Sequence, residues 1–345
     1  MPTLSVVIVA HDSSVALTRT LPALVGELRD GDELIVVDNA SADDTVATVT
    51  GLAPDATVVE TGANLGFAAA CNRGAAVATG ELLCLLNPDA VPQPGWREAI
   101  ELPATDGRGW SAWQALVTAD GGRTINTRGG VLHFTGIAWA GGAGEPVTPD
   151  DGRPTTDEQP GFVSGACLTL PRHVYDDLDG MPEPFFLYHE DVDLSLRVRL
   201  AGGTIGVEPR ARVDHDYEFD KGAAKWLYLE RNRWATLIRT YPAALLALLA
   251  PGLLATELAL VVVAAAGGWL PQKLRAWGET AVWLPRLLGE RRRIQAARRI
   301  GAREFAAALT PALDSPYLGR AARSRALGLV LGAYWALVRR LLGGG

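Results

Sequence analysis

Four short runs of aliphatic and β-branched residues, each followed by a helix-like or polar segment, constrain this chain more than anything else in it. Leu4–Ala10 is continuously apolar, as expected of a strand covered on both faces in a parallel sheet. Residues 33–37, Thr57–Glu60 and Leu82–Leu86 repeat the pattern. Between them, Ser13 or Ser14 can cap a helix with Leu17, Leu21, Leu24 and Leu28 on one face. Residues 41–49 read as a short second helix and 67–78 as a third. This alternation predicts right-handed βαβ units and an open α/β sheet.

Ligands of such sheets bind outside the carboxyl ends of the strands. Polar residues gather at those ends: His11 and Asp12 after the first strand, Asp38 and Asn39 after the second, Asn64 after the third, and Asn87-Pro88-Asp89 after the fourth. The first strand is followed by "VAHDSS" rather than a GxGxxG turn, and no Gly-Lys-Ser/Thr follows the glycines at 62 and 66. Dinucleotide and P-loop chemistry are therefore disfavoured.

Charge divides the 345 residues. Residues 1–220 carry 13 Lys and Arg against 33 Asp and Glu, whereas residues 221–345 carry 19 against 6. The basic part opens with an apolar stretch, 243–270, whose one charge is Glu257. That is long enough to cross a bilayer. Pro251, Glu257 and the basic residues on both flanks instead favour a re-entrant or in-plane helical hairpin on an anionic membrane surface. The amphipathic segment 326–342 adds to it, and the alternative is a helical domain with this stretch as its core. Three scattered cysteines form no metal spacing, and the N-terminal apolar run is only strand-length, so a reduced cytoplasmic setting is expected. Residues 140–161, rich in Gly, Pro and Asp, read as a mobile surface loop.

Candidate chemistry rests on carboxylates and amides. Asp38 can accept hydrogen bonds from a nucleobase or ribose, or simply form an Asx-turn. Gly66, Phe67, Asn64 and Asn72 offer close backbone approach, a stacking ring and amides. Asp89, set behind proline, suits Mg²⁺ or Mn²⁺ on a diphosphate. In "FFLYHEDVDLSLRVRLAGG" (185–203) the alternation of Val192, Leu194, Leu196, Val198 and Leu200 suggests a strand. The Asp193–Arg197 spacing and the glycines at 202 and 203 suggest a helix.

In order, VDNASAD, NLGFAAACN, LLNPDA, SGAC, FFLYHEDVDLSLR and a later His resemble the family 2 glycosyltransferases of GT-A fold, closest to their rhamnosyltransferase-like branch. The resemblance covers about residues 1–240, and 241–345 would be a helical, basic, membrane-associated region. It implies a helix beginning near Asp191 and an inverting transfer of a sugar, rhamnose in that branch, from a nucleotide-diphosphate donor to a lipid-linked or glycan acceptor. It implies Asp191 as general base with Glu190 beside it. Ala10, Asp12, Asp38, Asn39, Asn64, Gly66, Phe67, Asn72 and Asn87 fall on the nucleotide side, and Gly165 and Ala166 on the acceptor side. Asp89 and His215 would hold Mg²⁺ or Mn²⁺, although Asn87 replaces the first aspartate of the stricter DXD form. The enzyme would work at the cytoplasmic face of the membrane, without a nucleic-acid partner. A sugar-nucleotide pyrophosphorylase, which should carry a basic glycine-rich loop after the first strand, and an inactive scaffold of the same fold are the rival readings.

Overall fold

The computed structural model of the protein describes residues 1–152, 159–216, 222–315 and 324–343. Two compact units emerge. One comprises Met1–Gly130, Ala140–Val198 and Gly203–Tyr217; the other comprises Val131–Trp139, Arg199–Gly202 and Glu218–Gly345.

In the first unit β1 (Leu4–Ala10), β2 (Glu33–Asp38), β3 (Thr57–Glu60) and β4 (Leu82–Leu86) are parallel, in the order β3-β2-β1-β4. They are linked by α1 (Ser14–Glu27), α2 (Thr45–Leu52) and α3 (Phe67–Ala75). The chain thus steps outward from β1 and returns on its other side, and this reversal opens a crevice at the carboxyl ends. α2 begins four residues later than its sequence suggests. The Ser41 N–H faces the Asp38 carboxylate at 3.3 Å, and the Ala42 N–H donates to Asp12 Oδ1 at 2.7 Å, so these residues form a turn instead.

The sheet continues through β5 (Val91–Pro92), β6 (Ala112–Ala119), β7 (Thr124–Thr127), β10 (Cys167–Pro171) and β11 (Ile205–Asp214). Its full order is β3-β2-β1-β4-β10-β6-β11-β5, with β7 beside β6. β10 runs antiparallel to both β4 and β6. β8 (Gly130–Leu132) and β9 (Ala138–Ala140) make a separate two-stranded sheet. The short helices α4 (Trp96–Ile100), α5 (Leu102–Thr105) and α6 (Arg172–Asp177) precede α7 (Glu190–Leu200).

Alternate residues of β1 serve opposite faces. Leu4, Val6 and Ile8 join Leu17, Leu21, Leu24, Trp96 and Trp113 on one side. Val7 and Val9 join Ile35, Val37, Ala68, Cys71 and Leu194 on the other. The segment that could read as strand or helix is the helix α7. Val192, Leu194, Leu196, Val198 and Leu200 are all buried, so this helix is covered all round and its apolar residues need not follow a 3.6-residue stripe. Part of the loop read at 140–161, residues 153–158, lies outside the described residues. Before it, the chain is tied along β7: Ile125 N–H donates to Glu145 O at 2.8 Å and Val147 N–H to Arg123 O at 2.9 Å.

The second unit holds α8 (Ala224–Thr240), α9 (Ala243–Ala266), α10 (Leu270–Ala296), α11 (Ala302–Ala306) and α12 (Arg325–Leu342). Where the sequence suggested a boundary at 240, the contacts group α8 with α10, because the two share an ionic cluster. Arg233 of α8 pairs with Glu230 at 3.0 Å and with Glu257 of α9. Lys273 of α10 pairs with Glu257 at 2.8 Å and with Glu230, and Trp277 Nε1–H donates to Glu257 Oε2 at 2.7 Å. Glu257 therefore lies on the inward stripe of α9 with Leu245, Leu249 and Leu253. The opposite face presents Leu254, Leu258, Val262 and Val263 to the outside. Most of the apolar length of α9 is not buried, so α9 is not a core helix. Arg231 lies over the rings of Tyr228 and Trp283 and pairs with Glu279 at 2.8 Å.

The approach of α3 to the sheet depends on Gly74. A Cβ there would stand 2.3 Å from Val7 Cγ1 and 3.0 Å from Val37 Cγ2. Gly74→Ala should cost roughly 1–3 kcal/mol by overpacking. The measurement is the midpoint of urea unfolding, and an unshifted midpoint would refute this packing.

Candidate active site

The crevice at β1, β2 and β4 is lined by loops that fasten one another. Asn39 follows β2 and its N–H donates to Ala10 O at 2.8 Å. Its side chain spans to the next loop: Nδ2 donates to Asn64 Oδ1 at 3.1 Å, and Oδ1 accepts from Leu65 N–H at 2.9 Å. Asn64 Oδ1 also accepts the Gly66 N–H at 3.0 Å. These two amides therefore set the shape of residues 61–66. Asp38 is buried and forms the Asx-type turn with Ser41, which leaves Ala10, Asp12 and Asp38 together at the rim. Asn72 turns elsewhere. It accepts from Tyr175 Oη–H at 2.7 Å and Met181 N–H at 2.9 Å, and donates to Met181 O at 3.0 Å, bracing the segment after α6.

The other wall arrives with β10. Asn87, at the end of β4, donates its N–H to Ala166 O at 3.0 Å. The adjacent Gly165 N–H donates to Asp191 Oδ2 at 3.0 Å, and Val192 N–H donates to Asp191 Oδ1 at 2.7 Å. A Cβ on Gly165 would lie 3.4 Å from the Phe67 ring and 3.8 Å from Asp191 Cβ. Phe67, Gly165 and Asp191 thus border one space. Ser195 supports the arrangement, donating Oγ–H to Asp191 O at 2.7 Å and accepting Val163 N–H at 3.1 Å.

Asp89 and His215 meet through the pairing of β5 with β11, in which Val91 faces Asp214. His215 Nε2 stands 3.1 Å from Asp89 Oδ1, the imidazole buried and the carboxylate half exposed. Asn126 Nδ2 donates to His215 O at 2.7 Å and so fixes the end of β11. Among the described residues no group of three or more His, Cys, Asp or Glu could hold a metal ion. One carboxylate and one imidazole fit a Mg²⁺ or Mn²⁺ ion that takes its remaining ligands from a diphosphate and water.

Asn126, Ser195 and Phe186, whose carbonyl accepts Phe67 N–H at 2.6 Å, were not anticipated from sequence. Only Ser195, one helical turn after Asp191, carried a local signal. The three cysteines are buried in the core, and burial, followed by the nearby Glu190 charge, pushes the Cys71 thiol well up. They are not nucleophiles.

Glu190 and Asp191 are unequal neighbours. Glu190 is buried, and its Oε2 has no partner among the described residues. Burial first, then the Asp191 charge, pushes its carboxyl up to about 8. Burial also raises Asp191, against the lowering effect of the Gly165 and Val192 N–H groups. Asp191 therefore takes the pair's first negative charge while Glu190 keeps its proton. A native carboxyl that holds its proton more tightly than the unfolded chain contributes stability below about 4.5 and loses it as pH rises towards 8. Replacing Glu190 with Gln should raise the melting temperature by a few degrees at pH 8 and by less at pH 5. A difference independent of pH, by calorimetry, would contradict the assigned proton.

Known proteins resemble this chain in sequence and in fold. Residues 5–173 match the model of Glycosyl transferase family 2. An N-acetylglucosaminyl-diphospho-decaprenol L-rhamnosyltransferase of Mycobacterium tuberculosis is 26% identical over 255 residues, covering 68% of this chain and 83% of its own. Among solved structures, GalNAc-T7 with UDP, GalNAc and Mn²⁺ superposes with a TM-score of 0.56 at 17% identity, over 72% of this chain and 50% of that one. This chain thus spans half the length of GalNAc-T7. S. aureus TarS 1–349 with UDP-GlcNAc gives 0.55 at 15% identity, over 98% and 90%. Residues 5–173 of the chain thus form a family 2 glycosyltransferase domain, on a GT-A fold.

Proposed function

We propose that the protein is an inverting glycosyltransferase that moves a sugar from a nucleoside-diphosphate donor to a hydroxyl of a lipid-linked or polysaccharide acceptor. The observation that carries this reading is the placement of Asp191: a carboxylate held by two backbone N–H groups, facing the space bordered by Phe67 and Gly165. Asp38 and Asp12 occupy the base and ribose side of the crevice, and Gly66 lets the backbone approach the donor closely. As the acceptor oxygen attacks the anomeric carbon, Asp191 takes its proton. The bond from that carbon to the diphosphate oxygen breaks, and the nucleoside diphosphate departs with the electron pair. Gly165, lacking a side chain, leaves room for the acceptor beside the base. Asp89 and His215 would hold Mg²⁺ or Mn²⁺, which supplies positive charge against the diphosphate.

Rhamnose as the sugar and a polyprenyl-diphosphate-linked acceptor are supported by the mycobacterial relative, an N-acetylglucosaminyl-diphospho-decaprenol L-rhamnosyltransferase. The second unit supports action at the cytoplasmic face of the membrane. It carries 20 of the chain's 32 basic residues, and the outer face of α9 is apolar. With Glu257 paired inside, α9 and α10 suit a hairpin lying in the plane of an anionic bilayer, so no charge need cross it.

Two experiments bear on these readings. Release of nucleoside diphosphate should be detected with Mn²⁺ or Mg²⁺ from at least one of a panel of UDP-, dTDP- and GDP-sugars. Asp191→Asn should lower kcat by roughly 10²–10⁴-fold while donor affinity, by calorimetry, stays within about twofold. Equal loss of binding would remove Asp191 from the base role, and release from no donor would point to an inactive scaffold. Separately, the protein should float with phosphatidylglycerol vesicles, and a Leu254→Glu, Leu258→Glu variant should float less. Undiminished flotation of that variant would discard the α9 face as the contact.

A further inference from the structure

The segment 185–189, between the short turn after α6 and the start of α7, has an unusual backbone. Phe186, Tyr188 and His189 have φ of +66°, +71° and +69°, a region that side-chain-bearing residues rarely occupy. At Phe186 the pair φ +66°, ψ −60°, with Leu187 N–H donating to Phe185 O at 2.7 Å, is the strained form of the γ-turn. No glycine or asparagine relieves any of these positions.

What holds the strain is tertiary. The Phe186 carbonyl accepts Phe67 N–H at 2.6 Å, and the Phe186 ring lies over Gly66, where an added Cβ would meet Cδ2 at 2.5 Å. Phe185 is buried beneath. At the far end, His189 O accepts Asp193 N–H at 2.9 Å and so opens α7 one residue before Glu190. The strap therefore joins the Gly66 and Phe67 wall of the crevice to Asp191 by five residues of chain that have little freedom to relax.

We infer that Phe186 is a positioning residue: its wedge on Gly66 and its bond to Phe67 set the distance between the donor-side wall and the Asp191 carboxylate. This rests on the reading of Asp191 as the base. Strain that persists beside a reacting group is retained by the structure around it, and here that structure is the donor loop itself.

The test uses the full chain, with the UDP-, dTDP- or GDP-sugar of the panel that turns over fastest. Phe186→Gly removes both the wedge and the strain. It should lower kcat by roughly 10- to 100-fold, with donor KM within about threefold and no loss of melting temperature. Phe186→Tyr keeps the ring and should keep kcat. A wild-type kcat in Phe186→Gly, a loss confined to KM, or an equal loss in Phe186→Tyr would overturn the inference. If Phe186→Gly does not fold, His189→Gly carries the test, since glycine adopts the left-handed backbone freely and suits a helix start. A melting temperature at or above wild type with kcat reduced at least about fivefold supports the inference, and an unchanged kcat overturns it. Asp191→Asn in parallel separates the two claims. Full turnover in that variant removes the base and this inference with it. Lost turnover there, with normal strap variants, removes the strap alone.

Discussion

The antiparallel pairing of β10 with β4 is the interaction on which the site depends. It places Cys167 opposite Leu86, joining residues about eighty positions apart. From that register follow the bond from Asn87 N–H to Ala166 O and the position of Gly165, whose N–H holds Asp191. Without it the parallel half would still offer a crevice at the ends of β1 and β2, but nothing would bring a carboxylate to its far side. One strand running the other way gives the crevice its second wall.

Around that frame the site is locally unfavourable. Among the described residues, five of the seven non-glycine residues with positive φ are Asp12, Ala40, Phe186, Tyr188 and His189, all in the crevice loops or the strap leading to α7. Glu190 buries a carboxyl beside a second one, which desolvation and like charge both oppose. Neither feature helps folding. They persist because β1, β2 and β4 are buried on both faces, and because α7 is covered along its length. Stability is concentrated in the layers, and the strained and charged groups sit at their ends.

The second unit shows the same economy with charge. Glu257, which by sequence counted against a simple membrane span, faces inward and meets Arg233, Lys273 and Trp277. The outer surface of α9 is thereby left apolar. A buried ion cluster of this kind contributes little net stability but fixes which face turns outward, since breaking it strands an unpaired charge.

Much of the first unit was legible in the residues. β1, β3 and β4 have the bounds that their apolar runs suggest, and the polar clusters behind Ala10, Asp38 and Leu86 do converge, because strand period and buried-strand composition are local properties. The amides were not legible. Asn39 and Asn64 bond to each other while Asn72 braces Tyr175 and Met181, and nothing in an asparagine's neighbours in sequence reveals its partner in space. The turn at 41–44 displaced the start of α2 because Asp12 and Asp38 claim its N–H groups from separate strands. The sequence by itself determined the α/β alternation, the strand-end placement of Asp38 and Asp89, and the split between an acidic and a basic part. Only the tertiary structure decided that 190–200 is a helix covered all round, that Asp191 is held by Gly165, that His215 meets Asp89, and that Phe186 presses on Gly66. Each of these depends on contacts between residues remote in the chain, which a local pattern cannot encode.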